Sequence, residues 1–427
     1  RRAILNGRSW QVPIRAELTL RRDGKKIDTG NVIVGHLPKI TDRYGYIIDG
    51  NEYQTNSLFR LKSGVYHRKA ANDILISDFN LENKDQFANR KSFKIKFDPK
   101  DAIFYLRHGN SHVPLYHLLK SVGISDKEIE DSWGKELADK NKSKMSENAV
   151  MNKLHKVVGE DLPKDPAEKR RLLRKLLSKT KMKAETTKKT LGRSFKSVDG
   201  DTLLRSATRL LAMSKGKDEG DDKNSLEFLS MHSAEDLIAE RVQMSADRIK
   251  RKMSRGIDRK RSVKNLVPHR EFDKSIRGFF HSSLSAQSDQ TNPLDMMSGH
   301  RKTTIMGDQG GIKSSHVVSM DSKLVNPSHL GFLDPIHTPE GEKTGISLTL
   351  PLLAKKSGNE LTSTFLSAKT GKRTKVKAED ALRSVVAFPD QYEKKGKKLV
   401  AKNKRVKATV EGRMVEVDPK EVDYVLP

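Results

Sequence analysis

The chain has 427 residues, which at about 150 residues per domain suggests two to four domains. Its 83 Lys and Arg against 55 Asp and Glu give a formal charge of +28, which points to a polyanionic partner, nucleic acid first, and its 35% hydrophobic and 6% aromatic content favours several small cores over one large one. Without cysteine there is no disulfide framework, thiol nucleophile or Cys-containing zinc site, and with no run of 18 apolar residues no membrane span is expected. The start at Arg1 suggests a trimmed chain, and no apolar stretch makes Arg1–Asn6 a signal peptide. The first hundred residues read as β-rich. Ala16–Arg22 and Lys25–Val34 flank Asp23-Gly24, a dipeptide that favours a type I′ hairpin turn. Tyr46–Asp49 is a short strand closed by Gly50, and Lys91–Phe97 alternates Phe93, Ile95 and Phe97 with lysines. The middle is helical and charged. Ser125 with Glu128 forms a capping box, and Asp165-Pro166 starts a basic helix that keeps Leu172, Leu173, Leu176 and Leu177 on one stripe. Ser214–Asn224 reads as a polar loop. Ser233 with Asp236 starts another helix, with Ile238, Val242, Ile249 and Met253 at helical spacing and a basic end from Arg248 to Arg261. Between Phe279 and Leu350 lysine falls while Gly, Pro, His, Ser, Thr and Asn rise, the composition of a site rather than of a solvated face. Arg405–Val410 and Arg413–Val417 read as a hairpin around Glu411-Gly412.

Walker-type, dinucleotide-binding, His-Glu metalloprotease and EF-hand spacings are missing. Gly307-Asp-Gln-Gly310-Gly311 is either a loop that approaches phosphate closely or a plain mobile turn. His329, His337 and Glu340 lack the i, i+4 spacing that aims two imidazoles at one ion, so they read as loop residues. Glu219, Asp221 and Asp222 admit a divalent-ion site, but a solvated turn that offsets nearby lysines is preferred. His300-Arg301-Lys302 follows Asn292-Pro293 in the low-charge region; cations that are few and framed by Gly and Pro suit a phosphate ligand.

One stretch then resembles a known family. Phe279-Phe280, Leu284–Leu294 with Asp289, Gln290 and Asn292, Ser298–Lys302, Gly310-Gly311, Asn326–Gly331 and Pro335–Gly341 are similar, in order, to the fork region of the β subunit of multisubunit RNA polymerases. Val34–Pro38, Ile47–Glu52 and Gly64-Val65 resemble that family's protrusion. Val113–Leu115, Val122–Ile129 and Gly220–Asn224 resemble its lobe, and Val417–Tyr424 the stretch before its next core block. The family's Glu-Thr-Pro-Glu-Gly is His337–Gly341 here, and its later Glu-Asp motif and active-site lysines have no counterpart.

The resemblance implies a multidomain α+β fold, a β-rich protrusion and fork with a helical lobe insertion. Its divisions are 1–66 (protrusion), 67–255 (lobe), 256–286 (protrusion return), 287–348 (fork) and 349–427 (external β-rich region). It implies an N-terminal β portion of a DNA-directed RNA polymerase, active only within a multisubunit complex, from a split subunit of the type carried by large bacteriophages. His300, Arg301, Lys302, Gln290, Gly310, Gly311 and Lys313 would meet nucleic acid. Asp289 and Asn292 would brace the loop, and Glu340 and Gly341 would shape the wall near the incoming base pair. No catalytic or metal-binding residue is expected in this chain; Mg2+ would be held by another subunit. Expected partners are the C-terminal β portion, β′-like subunits, the DNA template and the RNA transcript. The expected place is the cytoplasm of an infected bacterium, or the virion. The alternative is a free-standing basic nucleic-acid-binding or assembly protein.

Overall fold

In a computed structural model, the structure describes residues 1–70, 72–82, 93–158, 165–257, 262–288, 292–310, 312–396 and 398–427. They form two compact units. One is Leu61–Lys223; the other joins Arg1–Arg60 to Asn224–Pro427. Both mix helices with antiparallel sheet, so the expected α+β multidomain class holds.

The Leu61–Lys223 unit is built on a five-stranded antiparallel sheet, in the order Ser111–Pro114, Ile103–His108, Phe93–Asp98, Leu75–Asn80, Gly64–Lys69. Period-2 alternation buries Phe93, Ile95 and Phe97, as the sequence predicts. Phe93 stacks on Phe79 and Phe97 on Phe104, with ring centroids 4.3 and 4.4 Å apart. Helices Leu115–Val122, Asp126–Trp133 and Gly200–Ser214 complete the core. Ser125 and Glu128 form the capping box, and the Asp165 carboxylate accepts from the Ala167 and Glu168 amides at the start of Pro166–Ser178. Of the leucine stripe, Leu173 is buried and Leu177 packs at the edge, while Arg170, Arg171, Arg174 and Lys175 face solvent.

Asp221 corrects an expectation. Its carboxylate is 6% exposed, not in a solvated turn. It accepts from the His67 amide at 2.7 Å, from His67 Nδ1 at 2.9 Å and from Arg209 Nη1 at 2.8 Å. Arg209 also forks onto Asp218 through Nε and Nη2, at 2.8 and 3.1 Å. A return loop that must bury its own backbone needs such partners, so the acid offsets Arg209 rather than the neighbouring lysines.

The other unit holds several sheets, of two to seven strands. The Asp23-Gly24 turn joins Gln11–Arg22 to Lys25–Pro38, a longer ribbon than predicted, with φ of 50° and 77° at the two turn residues. Leu20 and Val32 of this ribbon bury against Val263, Leu266 and Val267, with Met253, Ile257 and Phe272 alongside. The helix predicted beyond Ser233 is two helices, Ala234–Met244 and Ala246–Ile257, parted at Ser245, whose hydroxyl lies 2.7 Å from that of Ser275. Leu237 and Ile238 bury against Ile276, Phe279 and Phe280 of helix His269–Phe280, which the sequence reading did not place. These two helices therefore pack in the unit of Arg1–Arg60 and Asn224–Pro427. The hairpin at Glu411-Gly412 lies, as read, between Val406–Val410 and Arg413–Val417, within a seven-stranded sheet near the C-terminal end.

Three histidines titrate below their ordinary range. Burial lowers His67 and lowers His232 to about 4; burial and then the Arg301 charge lower His300. The unfolded chain takes up protons near pH 6.5 that these native imidazoles refuse. Stability is thus complete above pH 6.5 and declines toward pH 4.5, by at most about 1.4 kcal/mol per pH unit per histidine. Urea midpoints from pH 7.5 down to 4.5 should fall steadily; a constant midpoint contradicts the assignment. Asp78 acts in a lower window. Burial raises its pKa, but Lys223, Lys94 and Arg68 outweigh this and hold it at about 2, so its contribution is lost only below pH 4.

Candidate nucleic-acid interface

The low-charge stretch grows out of a four-stranded sheet ordered Leu229–His232, Ser57–Leu61, Lys302–Thr304, Ser347–Thr349. Lys302–Thr304 runs parallel to Ser57–Leu61 and antiparallel to Ser347–Thr349. The two ends of the segment 305–346 are thereby held side by side, and between them the chain makes short 3-10 turns. Asn326 organises one: its side-chain oxygen accepts from the Ser328 amide at 3.0 Å and hydroxyl at 2.7 Å. Gly345 closes the segment at φ 72°, where a Cβ would fall 2.1 Å from the Lys323 carbonyl oxygen. Gly345→Ala must displace backbone, at a cost of at least about 1–3 kcal/mol. Proteolysis within 305–346 should accelerate about tenfold or more; an unchanged cleavage rate contradicts the geometry.

Asn292 caps the short helix Pro293–Gly299, accepting from the Leu294 amide at 3.0 Å. Gln54 holds the other end of this helix. Its Nε2 donates to the Met296 carbonyl at 2.6 Å, and a Cβ at Gly299 would lie 1.8 Å from its Oε1. The chain then delivers His300, Arg301 and Lys302 in succession. The His300 ring stacks on Tyr44, 4.3 Å between centroids at 16°. Arg301 is half-buried, and among the described residues its guanidinium has no ion pair or hydrogen bond. Lys302 Nζ lies 3.9 Å from Asp295, a loose pair about 40% exposed on each side. Lys313 is exposed, and no ion pair is found for it among the described residues.

Residues 307–310 of the glycine loop pack against neighbouring elements. Gln309 is buried; it accepts from Arg241 Nε at 2.8 Å and donates to the Leu237 carbonyl and Glu240 at 3.0 Å each. Added Cβ atoms at Gly307 and Gly310 would meet Leu284 at 2.7 Å and Leu58 at 3.2 Å, so packing fixes both glycines. Glu340 and Gly341 (φ 75°) are exposed, with open space on the Cβ side of Gly341. Asp289, Gln290 and Gly311 lie outside the described residues.

His329 is buried in the Asn326 turn and His337 is exposed in a turn whose amides bond Asp334. Among the described residues no group of three or more His, Asp or Glu could hold a metal ion, and no helix is long and apolar enough to cross a membrane. The sequence reading missed Tyr44, Gln54 and Gln309. The last sat inside a quoted glycine motif, where one amide among glycines was the available signal.

Residues 286–355 match the family described as RNA polymerase Rpb2, domain 3. The chain is 24% identical to the DNA-directed RNA polymerase subunit beta of Gracilaria tenuistipitata var. liui over 379 residues, 78% of this chain and 32% of that one. It is 26% identical to the same subunit of Porphyra purpurea over 369 residues, again 78% and 32%, and 25% identical to that of Synechococcus elongatus over 356 residues, 77% and 31%. It thus spans about a third of the length of the curated relatives it matches. Segment 286–355 is an RNA polymerase Rpb2 domain 3, and the chain is homologous, over about 78% of its length, to a portion of RNA polymerase β subunits.

Proposed function

We propose that this chain is the N-terminal portion of the β subunit of a DNA-directed RNA polymerase and forms one side of the cleft that holds DNA and the RNA–DNA hybrid. The observation that carries the reading is the matched segment, with Arg301 unpaired among the described residues and Lys302 loosely paired where its sheet ends. A guanidinium without a carboxylate partner, in a stretch otherwise short of charge, suits phosphate. Arg301, Lys302 and Lys313 would engage RNA or template phosphates; Gln290, His300, Gly310 and Gly311 would line the path; Asp289 and Asn292 would brace it. Glu340 and Gly341 would face the incoming base pair. The exposed basic faces of Pro166–Ser178 and Ala246–Ile257 would supply a general phosphate field.

Phosphoryl transfer, the metal-assisted step of such an enzyme, would take place in the assembled complex, with Mg2+ held by another chain. The C-terminal β portion and β′-like subunits would complete the cleft. The chain as one half of a split subunit of large-bacteriophage type, working in an infected bacterium or carried in the virion, belongs to the same proposal. Mass spectrometry of the natural polypeptide tests the split.

The isolated chain should bind single- and double-stranded DNA weakly and without sequence preference. If about five phosphates are neutralised, the log–log salt slope should be about −4 to −5. Arg301→Ala with Lys302→Ala should reduce the slope by about two. A flat salt response would show that the charge faces protein partners instead.

A further inference from the structure

The turn Thr41–Gly45 is built around one buried acid and presents one exposed ring. The Glu52 side chain is fully buried. Its carboxylate accepts from Arg43 Nη2 at 2.6 Å and from the Thr41 hydroxyl at 3.2 Å. The Thr41 amide donates to the Gly45 carbonyl at 2.8 Å, and the Thr41 hydroxyl accepts from the Gly45 amide at 3.0 Å. Gly45 has no room for a side chain, since a Cβ would lie 2.8 Å from Glu52 Oε1. Arg43 also reaches Met296 Sδ at 3.8 Å, which ties the turn to helix Pro293–Gly299.

Tyr44 stands at the tip with φ 63°, a conformation that glycine takes freely and an aromatic residue rarely does. Holding it there costs about 1–3 kcal/mol. Burial does not offset that cost well, because Tyr44 remains 46% exposed. What the strained residue achieves is a parallel stack on His300, immediately before Arg301. A strained, half-exposed aromatic ring stacked on an imidazole, beside a guanidinium with no partner among the described residues, is the combination that takes a base and its phosphate.

We propose that Tyr44 and His300 form a stacking platform for an unpaired nucleobase of the strand whose phosphate Arg301 engages. The proposal rests on the nucleic-acid role given above to residues 286–355. A base inside a duplex has no free face, so the ligand is a single strand or the frayed end of a hybrid.

The test is a titration of the full chain with a short single-stranded DNA carrying one 2-aminopurine, whose fluorescence is quenched when it stacks. The wild-type protein should bind and quench, and Tyr44→Phe should do the same. Tyr44→Gly, which relaxes the turn, should keep or raise the melting temperature, lose the quenching and weaken binding by about fivefold to a hundredfold. Arg301→Ala should weaken binding and reduce the salt slope by about one while leaving the quenching at saturation. Binding and quenching by Tyr44→Gly equal to wild type would overturn the platform while leaving nucleic-acid binding in place. A lower melting temperature for Tyr44→Gly would also overturn it, by making the stack structural. No binding by the wild-type protein at low salt would defeat the nucleic-acid role itself.

Discussion

Arg209→Met will cost the Leu61–Lys223 unit about 3–5 kcal/mol, because it strips the counter-charge from a carboxylate that cannot reach water. Asp221 is 6% exposed and Arg209 is its cationic partner, with His67 held neutral by burial on the other side. The same guanidinium also forks onto Asp218 and donates to the Thr190 carbonyl, so one substitution unties the helix Gly200–Ser214 from two neighbouring segments. Gly220 packs closely on the same strand, where a Cβ would lie 2.8 Å from the His67 carbonyl oxygen. The chain has two tryptophans, Trp10 and Trp133, and Trp133 is buried against Phe104 in this unit. In a Trp10→Phe background, Trp133 fluorescence should report a urea midpoint shifted down at nearly constant slope. A shift worth less than 1 kcal/mol would mean that the network is solvated. Arg209→Met with Asp221→Asn should recover part of the loss, because two uncharged partners leave no buried charge.

Phe280→Ala should cost the other unit about 3–5 kcal/mol. The ring is 1% exposed and packs on Tyr46, Tyr53 and Phe279, with centroids 5.3, 6.1 and 5.3 Å away. Partial collapse is limited, since strands Tyr46–Ile48 and Asn51–Thr55 frame the site on one side and helix Ala234–Met244 on the other. Leu284 follows directly, and Ser285–Gln287 pairs with Asn51–Thr55 to lead into the matched segment. The variant should therefore lose DNA affinity together with stability. Circular dichroism melts beside DNA titrations would show both; a stability loss with DNA binding intact would separate this core from the interface.

Elements fixed by local chemistry were legible in the sequence. The Asp23-Gly24 and Glu411-Gly412 turns, the Ser125 and Asp165 caps, and the Phe93–Phe97 alternation each depend on a few neighbouring residues. The Asp221 network was not legible, because its partners His67 and Arg209 are far apart in sequence and meet only through the fold. The same holds for Phe279-Phe280, which belongs to the core beneath the site and not to its surface. In the candidate site, Arg301 and Lys302 stood out by their local composition. Tyr44 did not, because its meaning depends on a buried Glu52, a backbone sign and a histidine from another segment.

The central claim, that this chain is a non-catalytic β portion of an RNA polymerase, is tested most directly by template-dependent nucleotide incorporation. The assay compares this chain alone, the co-expressed partner subunits without it, and the complete complex. The expected result is incorporation by the complete complex only, with loss when residues 286–355 are deleted. Incorporation by the isolated chain, or by the partners at full rate without it, would contradict the assignment.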